Sequence, residues 1–228
     1  MAFPTTSLLD SFNRADEDPL SGSGNWSGPI LLNMNKMKVV GNATMQSTVI
    51  ASQSGSSYWN AANFGPGVEA YVTIVTMWQN NSSDLWLWVN GSAENTSGVD
   101  GYTLYIRQSG GVYRWRLFRK DNGVETQLGG DIGSQAIANG DAIGLEVRSG
   151  GTFQAYYKPS GGSWATVGTT RSDNTYTSGH IGYSKGFVDT TSVLDDFGGG
   201  TIPGSSALLS RLERGLRGVC RGIQMGAR

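Results

Sequence analysis

Two short stretches decide how this chain folds: Asp10-Ser11-Phe12-Asn13-Arg14 near the start and Asp195-Asp196-Phe197-Gly198 near residue 200. Each sets a phenylalanine beside acidic residues, and almost everything between them is short alternating strands and Gly/Asn/Ser turns. Two related segments bracketing such a region argue for one closed β unit whose first and last strands lie side by side.

Working inward from those ends, the strands are readable. Val68–Gln79 is rich in β-branched and aromatic residues. Asp84–Asn90 sets Trp86 and Trp88 on one side and Leu85, Leu87 and Val89 on the other. A strand apolar on both faces belongs in the middle of a sandwich. Tyr102–Gln108 and Val112–Lys120 are joined by Ser109-Gly110-Gly111, a hairpin signal, and Asp121-Asn122-Gly123 turns the chain again. Ala142–Arg148, Thr152–Lys158, Trp164–Gly168, His180–Ser184 and Ser192–Phe197 complete the set. No helical period interrupts them and no repeat of propeller length occurs, so the expectation is two packed antiparallel sheets of jelly-roll type. Glycine fills 34 of 228 positions, about twice its usual share, which many chain reversals explain.

Residues 1–200 read as this all-β domain, 201–206 as a linker and 207–228 as a short amphipathic helix. Leu208, Leu212, Leu216, Val219 and Ile223 recur at helical spacing, with Arg211, Arg214, Arg217 and Arg221 off that stripe. The five arginines from 205 onward stand against Glu213, which gives the tail +4 and leaves −5 on the rest. A body of that sign is a poor nucleic-acid binder. Glycines at 215, 218 and 222 weaken the helix in isolation, so the stripe and Arg211 and Arg214 are expected to dock on a partner or a sister subunit. The chain is accordingly expected to work in an oligomer or assembly.

Only 15% of residues are charged, so the surface is largely small and polar and suits hydrogen bonding to neutral partners. The single cysteine, Cys220, excludes an internal disulfide framework. No apolar run reaches the ~18 residues of a membrane span. Met1-Ala2-Phe3-Pro4-Thr5-Thr6 has neither the basic nor the apolar region of a secretory signal, so the chain is expected to be made and kept in a cytoplasm, or to leave it by assembly or lysis.

The D-x-F-x-R opening, with Asp16-Glu17-Asp18 and Trp26 after it, resembles the concanavalin A-like lectin/glucanase superfamily. So do the Gly101–Tyr105 strand and the closing Asp195-Asp196-Phe197, and the match runs over roughly Leu8–Gly200. It is nearest to the laminin-G-like jelly rolls of bacterial and phage proteins. This resemblance implies two curved sheets whose concave face or rim loops bind glycans. It also implies a non-enzymatic bacteriophage virion protein, a capsid decoration or tail-associated adhesin, made in the host cytoplasm and seated on other virion proteins through its tail. The rival is a glycoside hydrolase or carbohydrate-binding module of a cellular carbohydrate system.

Retaining glycosidases need two carboxylates about 5.5 Å apart, and no paired run of acids occurs here, so no enzymatic activity is expected. Glu69, Glu125 and Glu146 each stand alone in sequence, and His180, the one histidine, has no nucleophile context. Flat aromatic faces and planar polar groups would grip a sugar, which selects Trp86, Trp88, Tyr105, Arg107 and Trp115, with core filling as the other reading of Trp86 and Trp88. Asp100 reads as a turn residue. No cofactor is required. Asp10, Asp195 and Asp196 would converge if the end strands pair, and superfamily members with structural calcium make them the candidate metal ligands.

Overall fold

The alternating patterns fold as the strand readings require. The computed structural model describes residues 2–30, 34–46, 54–77, 84–92, 98–186 and 192–204. Its strands are β1 (Leu8–Asp10), β2 (Trp26–Ser27), β3 (Met37–Val40), β4 (Ala43–Gln46), β5 (Gly55–Trp59), β6 (Val68–Thr76), β7 (Asp84–Gly91), β8 (Gly101–Ser109), β9 (Val112–Asp121), β10 (Val124–Gln127), β11 (Ala142–Arg148), β12 (Thr152–Lys158), β13 (Ala165–Ser172), β14 (His180–Lys185) and β15 (Val193–Thr201). One sheet has the order β13-β12-β11-β6-β15-β4-β3, with β1 also paired to β15; the other runs β10-β9-β8-β7-β14-β5-β2. The paired strands are antiparallel throughout.

The two ends meet as expected: Leu8 pairs with Gly198 and Asp10 with Phe197. Asp10 is the hub of that closure. Its Oδ1 accepts from Phe12 N and from Arg14 Nη1, both at 2.7 Å, and its Oδ2 accepts from Trp26 Nε1 at 2.7 Å. Phe12, Trp26 and Phe197 then pack together in the core, with Trp26–Phe197 centroids 5.0 Å apart. The D-x-F-x-R motif is thus a structural clasp.

Period-2 alternation fills the core. Val68, Ala70, Val72 and Ile74 of β6 face Leu85, Leu87 and Val89 of β7 and Tyr102, Leu104 and Ile106 of β8 across the layer. Each fully buried side chain of this kind contributes about 1.5–3 kcal/mol. The strand apolar on both faces, β7, is the central strand of the seven-stranded sheet. The β8–β9 hairpin closes on the pair Ser109–Val112, with Gly110 and Gly111 at φ of 59° and 81°. Both turn positions need positive φ, which glycine supplies without strain. At the far end β15 runs through Thr201, and Ile202 N donates to Gly67 O, so the sandwich takes the first two residues of the expected linker. The expected helix and its docking residues Leu208, Arg211, Leu212, Arg214, Leu216, Val219 and Ile223 lie outside the described residues. Among the described residues, no helix is long and apolar enough to cross a membrane.

Candidate functional site

The outward face of the seven-stranded sheet carries most of the residues chosen from sequence. Asp84, Trp86 and Trp88 of β7 stand beside Arg107, Tyr105 and Thr103 of β8 in register. The face is not an open aromatic platform. Trp88 is 1% exposed, packs with Ile30, Tyr58 and Val99, and donates from Nε1 to Ser184 Oγ at 2.8 Å. Lys120 Nζ lies 4.4 Å from the Trp86 ring centroid and is paired with Glu125 at 2.7 Å, so a cation already occupies that ring. Tyr105 is buried and Arg107 exposed. The Asp84 carboxyl sits among these rings, and burial pushes its pKa up against hydrogen bonds from Trp86 and Tyr105 and the charge of Arg107.

Trp115 requires a correction. It points between the sheets, is fully buried, and donates from Nε1 to Gln135 O at 2.8 Å. Strand parity explains this: Arg114 and Arg116 take the outer face, which leaves Trp115 for the core. The core-filling reading of Trp86 and Trp88 is corrected as well. They lie on the side away from the main core, in a satellite cluster roofed by Ile30 and Val99.

The structure instead assembles a polar pocket of about 360 Å³ at the end of this sheet, where Asn63, Asn90, Asp100, Tyr176, Ser178 and His180 converge with three backbone-rich positions, Gly91, Ser92 and Gly179. Asn90 is 2% exposed. Its Nδ2 donates to Tyr176 O at 3.0 Å, and its Oδ1 has no hydrogen-bond partner. A buried acceptor left unmatched costs about 1–3 kcal/mol. His180 Nδ1 lies 2.9 Å from Trp59 O. A carbonyl only accepts, so Nδ1 carries the proton and Nε2 remains for a ligand. Gly179 is required here, because a Cβ would come 2.5 Å from the Asn90 carbonyl carbon. The pocket sets amide, carboxylate, hydroxyl and imidazole groups around a volume fit for one sugar ring. None of its lining residues is a lysine or arginine.

Behind the pocket the loops are tied by charge. Arg119 donates from Nε to Asp121 Oδ2 at 2.7 Å and from Nη1 to Asp173 Oδ2 at 2.6 Å. Asp173 Oδ1 accepts from Tyr102 OH at 2.6 Å and from Thr175 N at 2.9 Å. Tyr176 OH donates to Asp121 Oδ1 at 2.7 Å, and Tyr176 N donates to Tyr102 OH at 3.0 Å. Burial alone would raise the Asp173 carboxyl, but these donors outweigh it and hold the pKa at about 2. A lowered carboxylate pKa stabilises the fold above its ordinary value near 3.8, and that contribution is lost as pH falls toward 2. Acid titration of unfolding should therefore show a loss of stability between about pH 4 and pH 2 that Asp173→Asn removes. An unchanged acid limb in that variant would contradict the assignment.

A second cleft, of about 380 Å³, opens on the outward face of the eight-stranded sheet. Glu69 and Glu146 stand directly opposite in the β6–β11 register and both line it. Residues so paired have Cβ atoms about 4.5–5.5 Å apart, which sets the two carboxylates side by side on one face. Three of their four oxygens accept hydrogen bonds within the fold. Glu69, 1% exposed, accepts on Oε1 from Thr5 N, Thr6 N and Thr6 Oγ1 at 2.5, 2.5 and 2.7 Å. Glu146 accepts from Tyr156 OH at 2.6 Å and Arg148 Nε at 2.8 Å.

The β1–β15 pairing sets Asp10 opposite Phe197, next in sequence to Asp195 and Asp196, but these acids do not fit a hard cation. Both oxygens of Asp10 are spent on Phe12, Arg14 and Trp26, and Asp195 Oδ1 caps Asp196 N at 2.8 Å. Among the described residues, no group of three or more acidic, His or Cys side chains is placed to hold a metal ion.

No family model matches this sequence, and no curated protein does. Solved structures do match. The carbohydrate recognition domain of Emp46p, in its potassium-bound form, aligns with a TM-score of 0.57 at 9% identity over 88% of this chain and 98% of that one. The fold is a two-sheet antiparallel jelly roll. The exoplasmic/lumenal domain of VIP36, in a form bound to Ca2+ and mannose, aligns at 0.57 and 10% identity over 87% and 91%. The GH43 protein BlXynB of Bacillus licheniformis aligns at 0.52 and 12% identity, with 83% of this chain covering 38% of that enzyme. At these identities the likeness is one of fold, and it bears out the two-sheet jelly roll expected from the strand pattern.

The pocket was missed in sequence because this lectin-like jelly roll builds it from three separated loops. Asp100 read as a turn residue, and it does accept from Asn122 N at 2.7 Å. Glycines at 91, 101 and 179, each at or beside a strand end, were the available signal.

Proposed function

We propose that this lectin-like jelly roll is a non-catalytic glycan-binding module that receives a neutral sugar residue in the pocket at Asn90. The carrying observation is Asn90 Oδ1, buried and without a partner in a polar, sugar-sized pocket. Vicinal hydroxyls match the amide, carboxylate and imidazole groups there, while Asp100 disfavours anionic sugars. The module's setting, on this proposal, is a bacteriophage particle, as a capsid decoration or tail-associated adhesin seated through residues 207–228. Support for that setting comes from the sequence resemblance and from a tail of +4 on a body of −5.

On a glycan array, Asn90→Ala should lose at least about tenfold in affinity, the worth of roughly one buried hydrogen bond to ligand. Trp86→Ala, in folded protein, should retain binding. Equal binding by Asn90→Ala and loss in Trp86→Ala would move the site to the sheet face. Deletion of 207–228 should abolish incorporation into particles while leaving glycan binding intact.

The Glu69–Glu146 pair supports a second reading, a glycoside hydrolase. Tyr156 and Arg148 hold both oxygens of Glu146, which argues against it, because a catalytic acid needs an oxygen facing the leaving group. Reducing-end release from oligosaccharide panels should be no greater for the wild type than for Glu146→Gln. Turnover abolished by that substitution would establish the hydrolase.

A further inference from the structure

Three loops bring carboxylates to the wall behind the Asn90 pocket: Asp100 before β8, Asp121 at the end of β9 and Asp173 after β13. Gathered at one sheet end, these charges repel each other unless a cation lies among them. We infer that Arg119 is that cation: its guanidinium clasps Asp121 and Asp173, holds the 173–179 loop against β8, and fixes the orientation of Asn90, so that sugar binding needs no divalent metal ion. This rests on the sugar-binding reading of the pocket.

Strand parity places the group. Arg119 follows Tyr113, Trp115 and Leu117 on the inward side of β9 and pairs with Tyr102 across the β8–β9 ladder. Near the strand's end its side chain therefore emerges at the mouth of the sandwich rather than in the core. A guanidinium is always charged and presents donors in a rigid fork, which suits two carboxylates from different loops better than a lysine would. The link to the pocket is short. Arg119 and Tyr102 hold Asp173, Tyr176 N binds Tyr102 OH, and Tyr176 O receives Asn90 Nδ2. With Nδ2 so engaged, the Asn90 amide is held in one orientation at the pocket wall.

The carboxylate oxygens leave little for a metal. Both oxygens of Asp173 and both of Asp121 accept from Arg119 or from Tyr102, Thr175 and Tyr176, and Asp100 Oδ1 accepts from Asn122 N. A calcium ion would have to displace the guanidinium and strip these donors, whereas it needs six to eight oxygens of its own. Arg119 is a positioning residue: it lies behind the pocket and touches no sugar.

The test uses the full chain, with calorimetric titration of the methyl glycosides of mannose, galactose, glucose and N-acetylglucosamine, and with hydrogen exchange of the amides of 173–180. Excess EDTA or added calcium should change neither readout in the wild type. Arg119→Met should weaken sugar binding at least about tenfold and raise exchange in 173–180, with a single cooperative melt retained. Arg119→Lys should restore part of both. If no glycoside binds the wild type, the sugar-binding reading fails, and the exchange data alone still judge the clasp. Wild-type binding or loop protection abolished by EDTA and restored by calcium would overturn the inference. So would protection in Arg119→Met equal to that of the wild type.

Discussion

Asp10→Ala should destabilise this protein by about 3–5 kcal/mol, whereas Asp195→Ala and Asp196→Gly should each stay within about 1 kcal/mol. Removing the Asp10 carboxylate orphans the indole N–H of Trp26, which is 3% exposed, at about 1–3 kcal/mol. It also strips an acceptor from Arg14, whose Nη2 is already buried without a partner, and from the backbone of Phe12, held at a φ of 51°. The last two acids differ in kind. Burial raises the Asp195 carboxyl pKa, helped by the charges of Asp196 and Asp10, so its removal relieves repulsion. Asp196 sits at a φ of 49°, where glycine is at no disadvantage. At about 2–4 °C per kcal/mol for a chain of this size, Asp10→Ala should lower the melting temperature by roughly 6–20 °C. Scanning calorimetry of the three variants, with and without calcium, decides the matter. Equal losses in all three together with calcium-dependent melting would revive the metal reading.

Deletion of residues 2–6 should cost a further large amount, about 3–5 kcal/mol. The N-terminal arm is built into the eight-stranded sheet. Phe3 stacks on Tyr156 at 3.9 Å and meets Trp164 edge-on at 4.9 Å, in a slot that exists because residue 144 is glycine. A Cβ there would come 2.3 Å from the Phe3 ring. Burial of one phenylalanine contributes about 1.5–3 kcal/mol and its ring contacts about 0.5–1.5 more. Thr5 and Thr6 supply the donors that Glu69 Oε1 accepts, and without them that carboxylate faces Glu146 with those bonds unmade. Gly144→Ala should act in the same direction by expelling Phe3. Urea denaturation of both variants measures this, and a loss below about 1 kcal/mol would show the arm to be an ornament.

The features legible in the sequence were those written in local pattern. The matching ends, the β8–β9 hairpin and the doubly apolar β7 are readable because strand alternation and turn residues act within a few positions. Register is not local. Glu69 and Glu146 stand apart in the chain yet lie directly opposite in the sheet, and nothing in either strand announces the partner. The same holds for Asn90, Asp100 and His180, which adjacency of β7 with β8 and β14 brings to one pocket. The tryptophans chosen from sequence as sugar ligands are engaged within the fold. Trp115 is spent on the core, Trp88 on a roofed cluster and Trp86 on Lys120, so tryptophan here marks packing.

The most direct test is a crystal structure of the protein soaked with a glycoside that scores on the array. Sugar density should stand within hydrogen-bond distance of Asn90 Oδ1, with Arg119 still bridging Asp121 and Asp173. Density in the cleft between Glu69 and Glu146, or along Trp86 and Tyr105 with the Asn90 pocket empty, would contradict it.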